Sequence, residues 1–185
     1  MKIAVFLGAN EGVSTKIKEE TTKLGHFIGS NNHTLVYGGS DAGLMGVIAK
    51  STQEKGGKVI GVELKLFDQE GASYYNVDKF IVTETIQERK KLMIDMSDAF
   101  IAIPGGVGTL DEISEIICIN KIETKHRPVI LLNIDGYYEG LRQQIKTMVK
   151  YNFLSQENAD LISFAKDVDE IIKILSKKNK KNISN

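Results

Sequence analysis

The sequence predicts an α/β protein that is built on an open, mostly parallel sheet with helices on both faces, folded as a single domain. Short apolar runs alternate with longer segments of helical periodicity, an order that predicts strands joined by crossover helices. The apolar runs are nearly uninterrupted, as in strands that are buried on both faces. A length of 185 residues provides one full hydrophobic core and does not require a second domain.

Six strands are predicted from runs of apolar and β-branched residues, and glycine or proline lies beside most of these runs. They cover residues 3–7, 34–37, 58–62, 80–82, 99–103 and 129–132. Because crossovers between parallel strands are right-handed, the helices that join these strands cover both faces of the sheet.

Apolar residues at steps of three and four predict helices between and after the strands. Two of these helices cover residues 85–97 and 110–122. The other helical stripes contain Ile17, Thr21, Leu24 and Ile28; Leu44, Val47 and Ile48; Leu141, Ile145, Met148 and Val149; and Val168, Ile171, Ile172 and Leu175.

Two segments have no clear apolar period. Residues 63–78 are predicted to form a long loop, which is often functional inside a compact domain, and Glu70 is a candidate ligand contact within it. Residues 176–185 are rich in lysine and asparagine and are predicted to be a disordered, solvated tail. The folded domain is therefore expected to cover residues 1–175.

The chain is organised around residues 101–112, where an apolar strand stops at Pro104 and a glycine-rich loop leads into a helix. Gly105, Gly106 and Gly108 allow a ligand to approach where a Cβ would collide. The loop presents free N–H groups at the positive end of the helix, which is an arrangement suited to an anion such as a phosphate. Val107 and Thr109 belong to the same predicted phosphate loop.

Thr109 and Glu112 have two possible roles. Thr-x-x-Glu before an apolar run is a capping box, worth about 1 kcal/mol of helix stability. Alternatively, Glu112 faces the ligand. The loop does not match a dinucleotide fingerprint because Asp111 stands where a small residue is needed, and no Walker-type Gly-x-x-x-x-Gly-Lys-Ser/Thr occurs.

Other special residues also follow predicted strands. Gly8 follows the first strand, Gly38 and Gly39 follow the second, and Glu84 follows the fourth. Ligands of open parallel sheets bind beyond the carboxyl ends of the strands, so these loops are expected to converge on one rim.

Two cations precede the phosphate loop. Arg89 lies on the inward stripe of its helix, where it either forms an ion pair with Glu84 or Glu112 or directs its guanidinium into a ligand site. Lys90 either contacts a phosphate or is solvated. Glu112 and Arg89 are the best pair for chemistry, one carboxylate and one permanent cation beside a phosphate cradle.

Composition restricts the class of partner. Lysine plus arginine and aspartate plus glutamate both number 24, so no net charge attracts the protein to nucleic acid or to an anionic membrane. The single cysteine, Cys118, is expected to be a packed thiol in a reducing compartment, and no signal peptide or long apolar stretch is found, so the protein is expected in the cytoplasm. The three histidines share no metal-binding spacing with one another or with Cys118, so no metal is expected.

Four ordered motifs resemble the LOG family, the cytokinin riboside 5′-monophosphate phosphoribohydrolases. Residues 104–112 (PGGVGTLDE) and 88–93 (ERKKLM) resemble its paired motifs PGGxGTxxE and RKxxM. Residues 38–46 (GGSDAGLMG) resemble its GGxxxGLMG segment, and the residues around 128–138 resemble its PVxLLNxxGYY segment. The likeness extends from about residue 2 to residue 155.

The resemblance implies a Rossmann-like fold, usually dimeric, that hydrolyses the N-glycosidic bond of a nucleoside 5′-monophosphate to free base and ribose 5-phosphate. It implies catalytic roles for Arg89 and Glu112 and no cofactor. Carboxylate chemistry agrees, because cleavage builds positive charge on the ribose that Glu112 would stabilise while it orients or deprotonates water. The loop at 105–109 would hold the 5′-phosphate.

The chain departs from the family pattern at three places. The family often has a histidine shortly before the catalytic arginine, in a region that is Ile86-Gln87-Glu88 here; a Thr-Trp pair is replaced by Cys118-Ile119, and the serine after the first glycine is Ala9. These changes concern the choice of base, so AMP or another purine monophosphate is expected as a substrate on equal terms with a cytokinin precursor.

Two alternatives stay open. A nucleotide-binding or carrier protein on the same fold needs only the phosphate cradle. A lysine decarboxylase, as relatives are sometimes labelled, would need a lysine that forms a Schiff base with pyridoxal phosphate, and no lysine is placed for it.

Overall fold

The computed structural model describes residues 1–122 and 126–183, and these residues contain seven strands. The strands are β1 (Lys2–Phe6), β2 (Thr34–Tyr37), β3 (Lys58–Leu64), β4 (Lys79–Thr83), β5 (Ala99–Ala102), β6 (Val129–Leu132) and β7 (Ile162–Ala165). They pair in the order β4-β3-β2-β1-β5-β6-β7, and every pairing is parallel. The predicted parallel α/β sheet is confirmed.

Helices cover both faces of this sheet. They are α1 (Thr15–Ser30), α2 (Gly43–Glu54), α3 (Lys65–Gln69), α4 (Ile86–Asp95), α5 (Val107–Ile122), α6 (Glu139–Lys150), α7 (Gln156–Ala159) and α8 (Val168–Ile183), with a short 3₁₀ helix at Ile134–Gly136. One apolar core lies between the sheet and α1, α2 and α8, and a second lies between the sheet and α4, α5 and α6.

The order of the strands reverses between β1 and β5. From β1 the chain adds β2, β3 and β4 on one side, and it then crosses back to place β5 on the other side of β1. Ile3 pairs with Leu35 of β2 and with Ala99 of β5, so β1 is central, and Ile3 is fully buried. A reversal of this kind opens a crevice beyond the carboxyl ends of the two strands that flank it.

The six predicted strands all form, but the prediction missed β7. The four residues Ile-Ser-Phe-Ala are too short and too mixed in polarity to give a strand pattern, and they pair with β6 at the edge of the sheet. Only the neighbouring strand identifies this segment as part of the sheet.

Residues 63–78 are not a continuous loop. Glu63 and Leu64 complete β3, α3 follows at once, and Ser73 forms an isolated antiparallel bridge with Ser40. The segment is thereby tied to the carboxyl edge of the sheet, beside the loop after β2.

The last helix of the structure runs into the segment that was predicted to be a tail. Helix α8 continues to Ile183, through residues 176–183, and residues 184–185 lie outside the described residues. Val168, Ile171 and Leu175 are buried in the first half of α8, and lysine, which is frequent after them in the sequence, is a good helix former. The division of the chain at residue 175 stays a prediction.

Candidate active site

A cavity of about 990 Å³ lies at the carboxyl edge of the sheet, beyond β1, β2, β3 and β5. Gly8 follows β1 and Gly38 follows β2, and both line the cavity, as does the loop after β5. The predicted convergence on one rim is observed for the loops after β1, β2 and β5, whereas Glu84, which follows β4, does not line the cavity. The volume is at the upper end of the range for sites that bind small molecules.

The glycine loop delivers the first turn of α5 to the cavity. Gly105, Gly106, Val107, Gly108 and Thr109 all line it. The helix begins at Val107, three residues earlier than predicted, so its unpaired N–H groups belong to the glycine loop itself. An anion held there would interact with these N–H groups and with the positive end of a 16-residue helix.

Gly105 is fixed by close packing. A Cβ at this position would lie 2.2 Å from Oγ1 of Thr109 and 2.9 Å from the backbone nitrogen of Gly8. The hydroxyl of Tyr137 donates a hydrogen bond of 2.5 Å to the Gly105 carbonyl oxygen. The loop is therefore braced by α5, by the end of β1 and by the segment after β6.

The capping interpretation of Thr109 and Glu112 is wrong, because Thr109 lies inside α5 rather than before it. The structure contains a capping box at the start of α4, where Thr85 accepts from the Glu88 backbone N–H and Glu88 accepts from the Thr85 backbone N–H. Glu112 therefore does not act as a capping residue.

Glu112 instead forms an ion pair with Arg89 in the wall of the cavity. Nη1 of Arg89 lies 2.7 Å from Oε1 of Glu112, and the two side chains are 10% and 12% exposed. Nε of Arg89 donates to the backbone oxygen of Val62 at 2.9 Å, which fixes the direction of the guanidinium. Of the two carboxylates that the sequence offered as partners of Arg89, Glu84 pairs instead with Lys65.

Gly38 makes room for the remaining guanidinium nitrogen. A Cβ at Gly38 would lie 2.5 Å from Nη2 of Arg89 and 2.7 Å from the Met45 sulfur. Within residues 1–122 and 126–183, Nη2 has no hydrogen-bond partner, so it can donate to a ligand in the cavity.

Burial raises the pKa of the Glu112 carboxyl, and the charge and hydrogen bond of Arg89 oppose this effect. A carboxyl with a raised pKa accepts a proton more readily than an ordinary glutamate does. An arginine guanidinium is a permanent cation and a poor proton donor.

One buried ionisable residue of the cavity was not identified from the sequence. Glu63, near the end of β3, is only 2% exposed and lines the cavity together with Arg89 and Glu112. Burial raises its pKa, while the charge of Arg89 opposes the shift. A charged residue directly after the apolar strand residues 59–62 was the signal available, whereas Glu70, the predicted contact, does not line the cavity.

Two predicted binding residues also lie outside the cavity lining. Lys90 pairs with Asp111 at 2.9 Å and with Glu115 at 2.8 Å, and these hydrogen bonds raise its pKa. Gly39 adopts a φ of +85°, and a Cβ at this position would point at Glu63 and lie 2.9 Å from its Cβ. Its left-handed conformation turns the chain between β2 and the loop that carries Ser40.

Two kinds of feature are absent from residues 1–122 and 126–183. No group of three or more histidine, cysteine, aspartate or glutamate side chains is arranged to hold a metal ion. No helix in these ranges has the length and apolar character needed to cross a membrane.

The sheet defines a Rossmann-like α/β protein with a large cavity beyond the carboxyl ends of its strands. A family model described as "Possible lysine decarboxylase" matches residues 45–175. Cytokinin riboside 5′-monophosphate phosphoribohydrolase LOG3 of Arabidopsis thaliana is 35% identical over 174 residues, which are 94% of this chain and 81% of that protein. The phosphoribohydrolase of the same description from Rhodococcoides fascians is 33% identical over 171 residues, 92% of this chain and 86% of that protein. The chain therefore belongs to the LOG family.

Solved structures share the fold at lower identity. The Moco carrier protein of Chlamydomonas reinhardtii aligns with a TM-score of 0.73 at 23% identity, over 97% of this chain and 98% of that one. The molybdenum cofactor binding protein of Rippkaea orientalis aligns with a TM-score of 0.72 at 23% identity, over 95% of each chain. At this identity the likeness supports the fold alone.

Proposed function

We propose that this protein hydrolyses the N-glycosidic bond of a nucleoside 5′-monophosphate and releases the free base and ribose 5-phosphate. The observation that carries the proposal is the position of Glu112: its buried carboxylate lines the cavity, paired with Arg89, on the helix whose first turn forms the anion cradle. The names of the family relatives, which are cytokinin riboside 5′-monophosphate phosphoribohydrolases, support the same reaction.

The glycine loop would bind the 5′-phosphate. Its N–H groups at the start of α5 interact with the phosphate oxygens, and the helix dipole adds to the attraction. This contact lies away from the bond that breaks, so its binding energy positions the anomeric carbon C1′ against Glu112.

Glu112 would act on C1′ and on water. As the C1′–N bond lengthens, positive charge develops on the ribose, and a carboxylate in a buried wall stabilises it strongly. Water then adds its oxygen to C1′ and keeps one hydrogen there, and its other proton passes to Glu112. Glu112 gives that proton to the nitrogen of the departing base, which takes the electron pair of the C1′–N bond, so the carboxylate is restored. Arg89 keeps Glu112 oriented, and its Nη2 donates to the ribose or the departing base.

The test is a release assay with a matched pair of variants. The protein is incubated with AMP, GMP, CMP, UMP and isopentenyladenosine monophosphate, and free base and ribose 5-phosphate are followed by chromatography. Glu112→Gln is expected to lower turnover by at least about a hundredfold, because it removes the carboxylate. Glu115→Gln is the control: Glu115 lies on the same helix, pairs with a lysine and is outside the cavity lining, so it should retain activity.

Other outcomes would favour other functions. Binding of nucleotides without base release would favour a carrier protein. A lysine decarboxylase would need a Schiff-base lysine, and the lining of the cavity, within the described residues, contains no lysine. Equal activity of the Glu112→Gln and native proteins would contradict a catalytic role for Glu112.

We further propose a homodimer in the cytoplasm. The face of α5 that points away from the sheet, which we call the outer face of α5, consists of Leu110, Ser114, Cys118 and Ile122. Ile122 is 82% exposed and Leu110 44% exposed, so an apolar helix surface is left in contact with solvent. Pairing with a second copy would cover this surface. The single cysteine supports a reducing compartment, although it is exposed rather than packed as expected.

A further inference from the structure

Glu63 is a buried carboxyl that the proposed hydrolysis does not use. One of its oxygens, Oε1, accepts a hydrogen bond of 3.0 Å from the backbone N–H of Leu64. Across the described residues, the other oxygen, Oε2, has no hydrogen-bond partner, although the residue is only 2% exposed and lines the cavity. Glu63 lines the cavity, so an oxygen that accepts from no protein donor is available to a donor on a ligand.

The backbone around Glu63 fixes this position. A Cβ at Gly39 would lie 2.9 Å from the Glu63 Cβ and 3.3 Å from the ring of Phe80. The Thr83 hydroxyl donates to the Glu63 backbone oxygen at 3.1 Å, which ties the end of β3 to β4. The backbone and the Cβ of Glu63 are therefore held in place at the end of β3.

The order of the strands gives the distance from this wall to the phosphate loop. The loop follows β5, whereas Glu63 is on β3, and β2 and β1 lie between them. Three strand spacings make roughly 14 Å. Arg89 and Glu112 lie between the two ends, since Arg89 contacts Val62 of β3 and Glu112 belongs to α5. A nucleotide with its phosphate on the loop and C1′ at Glu112 would therefore direct its base toward β3.

The cavity offers carbon surface to a flat, apolar ring. Met45, Phe67, Ala72 and Ile86 line it; Phe67 belongs to α3, which follows β3 directly, and Ile86 begins α4, which follows β4. Glu63 is the ionisable side chain among them that has an accepting oxygen to spare. A carboxyl retains an accepting oxygen in both of its protonation states.

We propose that Glu63 is the base-selecting residue of this protein and accepts a hydrogen bond from an unsubstituted exocyclic amino group of the base. The inference rests on the proposed function for the placement of the phosphate. It narrows the substrate class to nucleoside monophosphates with a free amino group, such as AMP. An alkyl group on that nitrogen removes one N–H and places carbon against a buried carboxyl, so N6-alkylated nucleotides are disfavoured.

The test measures binding rather than turnover, in the Glu112→Gln background. Calorimetry compares AMP with purine riboside 5′-monophosphate, which has the same shape but lacks the amino group. AMP is expected to bind about ten- to a hundredfold more tightly, the usual effect of a hydrogen bond to a charged acceptor. Adding Glu63→Leu should reduce the ratio to within about twofold and leave purine riboside monophosphate binding in place.

Two further variants sharpen the result. Glu63→Gln keeps an accepting amide oxygen and should retain part of the preference for AMP. Glu70→Leu removes a nearby carboxylate that does not line the cavity and should leave the ratio unchanged. Isopentenyladenosine monophosphate should bind the Glu63→Leu protein better than the protein with Glu63, because the substituent then meets an apolar wall.

The outcomes separate this inference from the hydrolysis. Equal affinity for AMP and purine riboside monophosphate while Glu63 is present overturns the inference, even if Glu63→Leu fails to fold. An unchanged ratio in a folded Glu63→Leu protein overturns it too. Base release by the native protein tests hydrolysis alone, so a preference for AMP without release would overturn the proposed function and support the role of Glu63.

Discussion

Arg89 and Glu112 each compensate for the burial of the other. Arg89 is 8% exposed and is held by the Val62 carbonyl, the Glu112 carboxylate and the space that Gly38 leaves. Removing either partner would leave a charge in the cavity wall with no compensation. We therefore expect Arg89 to affect the protonation of Glu112, and each residue to hold the other in its orientation.

The first residue-scale prediction concerns Arg89→Met. Without the guanidinium, burial raises the pKa of Glu112 further, because the effect that opposes the rise is lost. The reaction needs the carboxylate, which forms as pH rises through that pKa. The acid limb of the kcat/KM against pH profile should therefore move to higher pH, in addition to an overall loss of rate.

The loss of stability caused by Arg89→Met, relative to the native protein, should be larger at neutral pH than in acid. Loss of one partner of a buried pair costs about 3 kcal/mol in the free energy of unfolding while Glu112 is ionised. Once Glu112 is protonated, most of that cost disappears. Urea unfolding at two pH values measures the difference, and a pH-independent cost would contradict the pairing of Arg89 with Glu112.

A second residue-scale prediction tests the space beside Gly38. In Gly38→Ala the new Cβ would displace Nη2 of Arg89, which is the end of a flexible side chain, so the fold should persist. A displaced guanidinium should lower kcat by about ten- to a hundredfold. Gly140→Ala is the control, since nothing lies within 4 Å of its added Cβ. Equal kcat values for the two variants would show that Gly38 has another role.

At the scale of elements, a Thr-x-x-Glu motif caps a helix only where the helix begins directly after the threonine. Thr109-x-x-Glu112 and Thr85-x-x-Glu88 have the same spacing, and only the second caps a helix. The backbone oxygen of Gly106 accepts a hydrogen bond from the Leu110 N–H. Together with the neighbouring glycines, this bond allows α5 to begin at Val107, before Thr109. Sequence spacing cannot distinguish the two cases, because the first turn of α5 is set by contacts with Gly8 and Tyr137, which come from distant parts of the chain.

The element-scale prediction is that Thr85→Ala lowers the free energy of unfolding by about 1 kcal/mol. It removes the acceptor for the Glu88 N–H at the first turn of α4. Thr22→Ala is the matched control, because Thr22 lies within α1, is on its exposed side and only bonds back to Lys18. Alanine has the higher helix propensity, so this control should be neutral or slightly stabilising in urea unfolding. Equal losses would mean that the cap contributes nothing.

At the scale of the whole molecule, the sequence predicts the architecture well because a parallel sheet leaves a strong apolar signature. The strands at 34–37 and 129–132 were predicted with the observed bounds. Glu63 and β7 were not identified because their roles depend on neighbours across the sheet: β7 is defined by β6, and Glu63 faces a cavity assembled from four strand ends. Lys90 satisfied the local pattern of a phosphate ligand, yet two carboxylates on α5 bind it.

The whole-molecule prediction is that Ile122→Glu converts a dimer into a monomer in light scattering. A carboxylate at the outer face of α5 would have to be buried against its symmetry mate. Leu66→Glu, a similar change at an exposed position of α3, should leave the mass unchanged. A native protein that is already monomeric at working concentrations would contradict the homodimer.

The thiol of Cys118 lies on the outer face of α5, so the rate of its alkylation measures how accessible that face is. The chain has one cysteine, so every alkylation event reports on this one exposed position. If the face is covered in solution, the rate of labelling should fall as the protein is concentrated, since only the dissociated form is accessible to the reagent. A rate that is independent of concentration would identify a permanently open surface. The protein thus carries its own kinetic probe of assembly, with no substitution needed to introduce it.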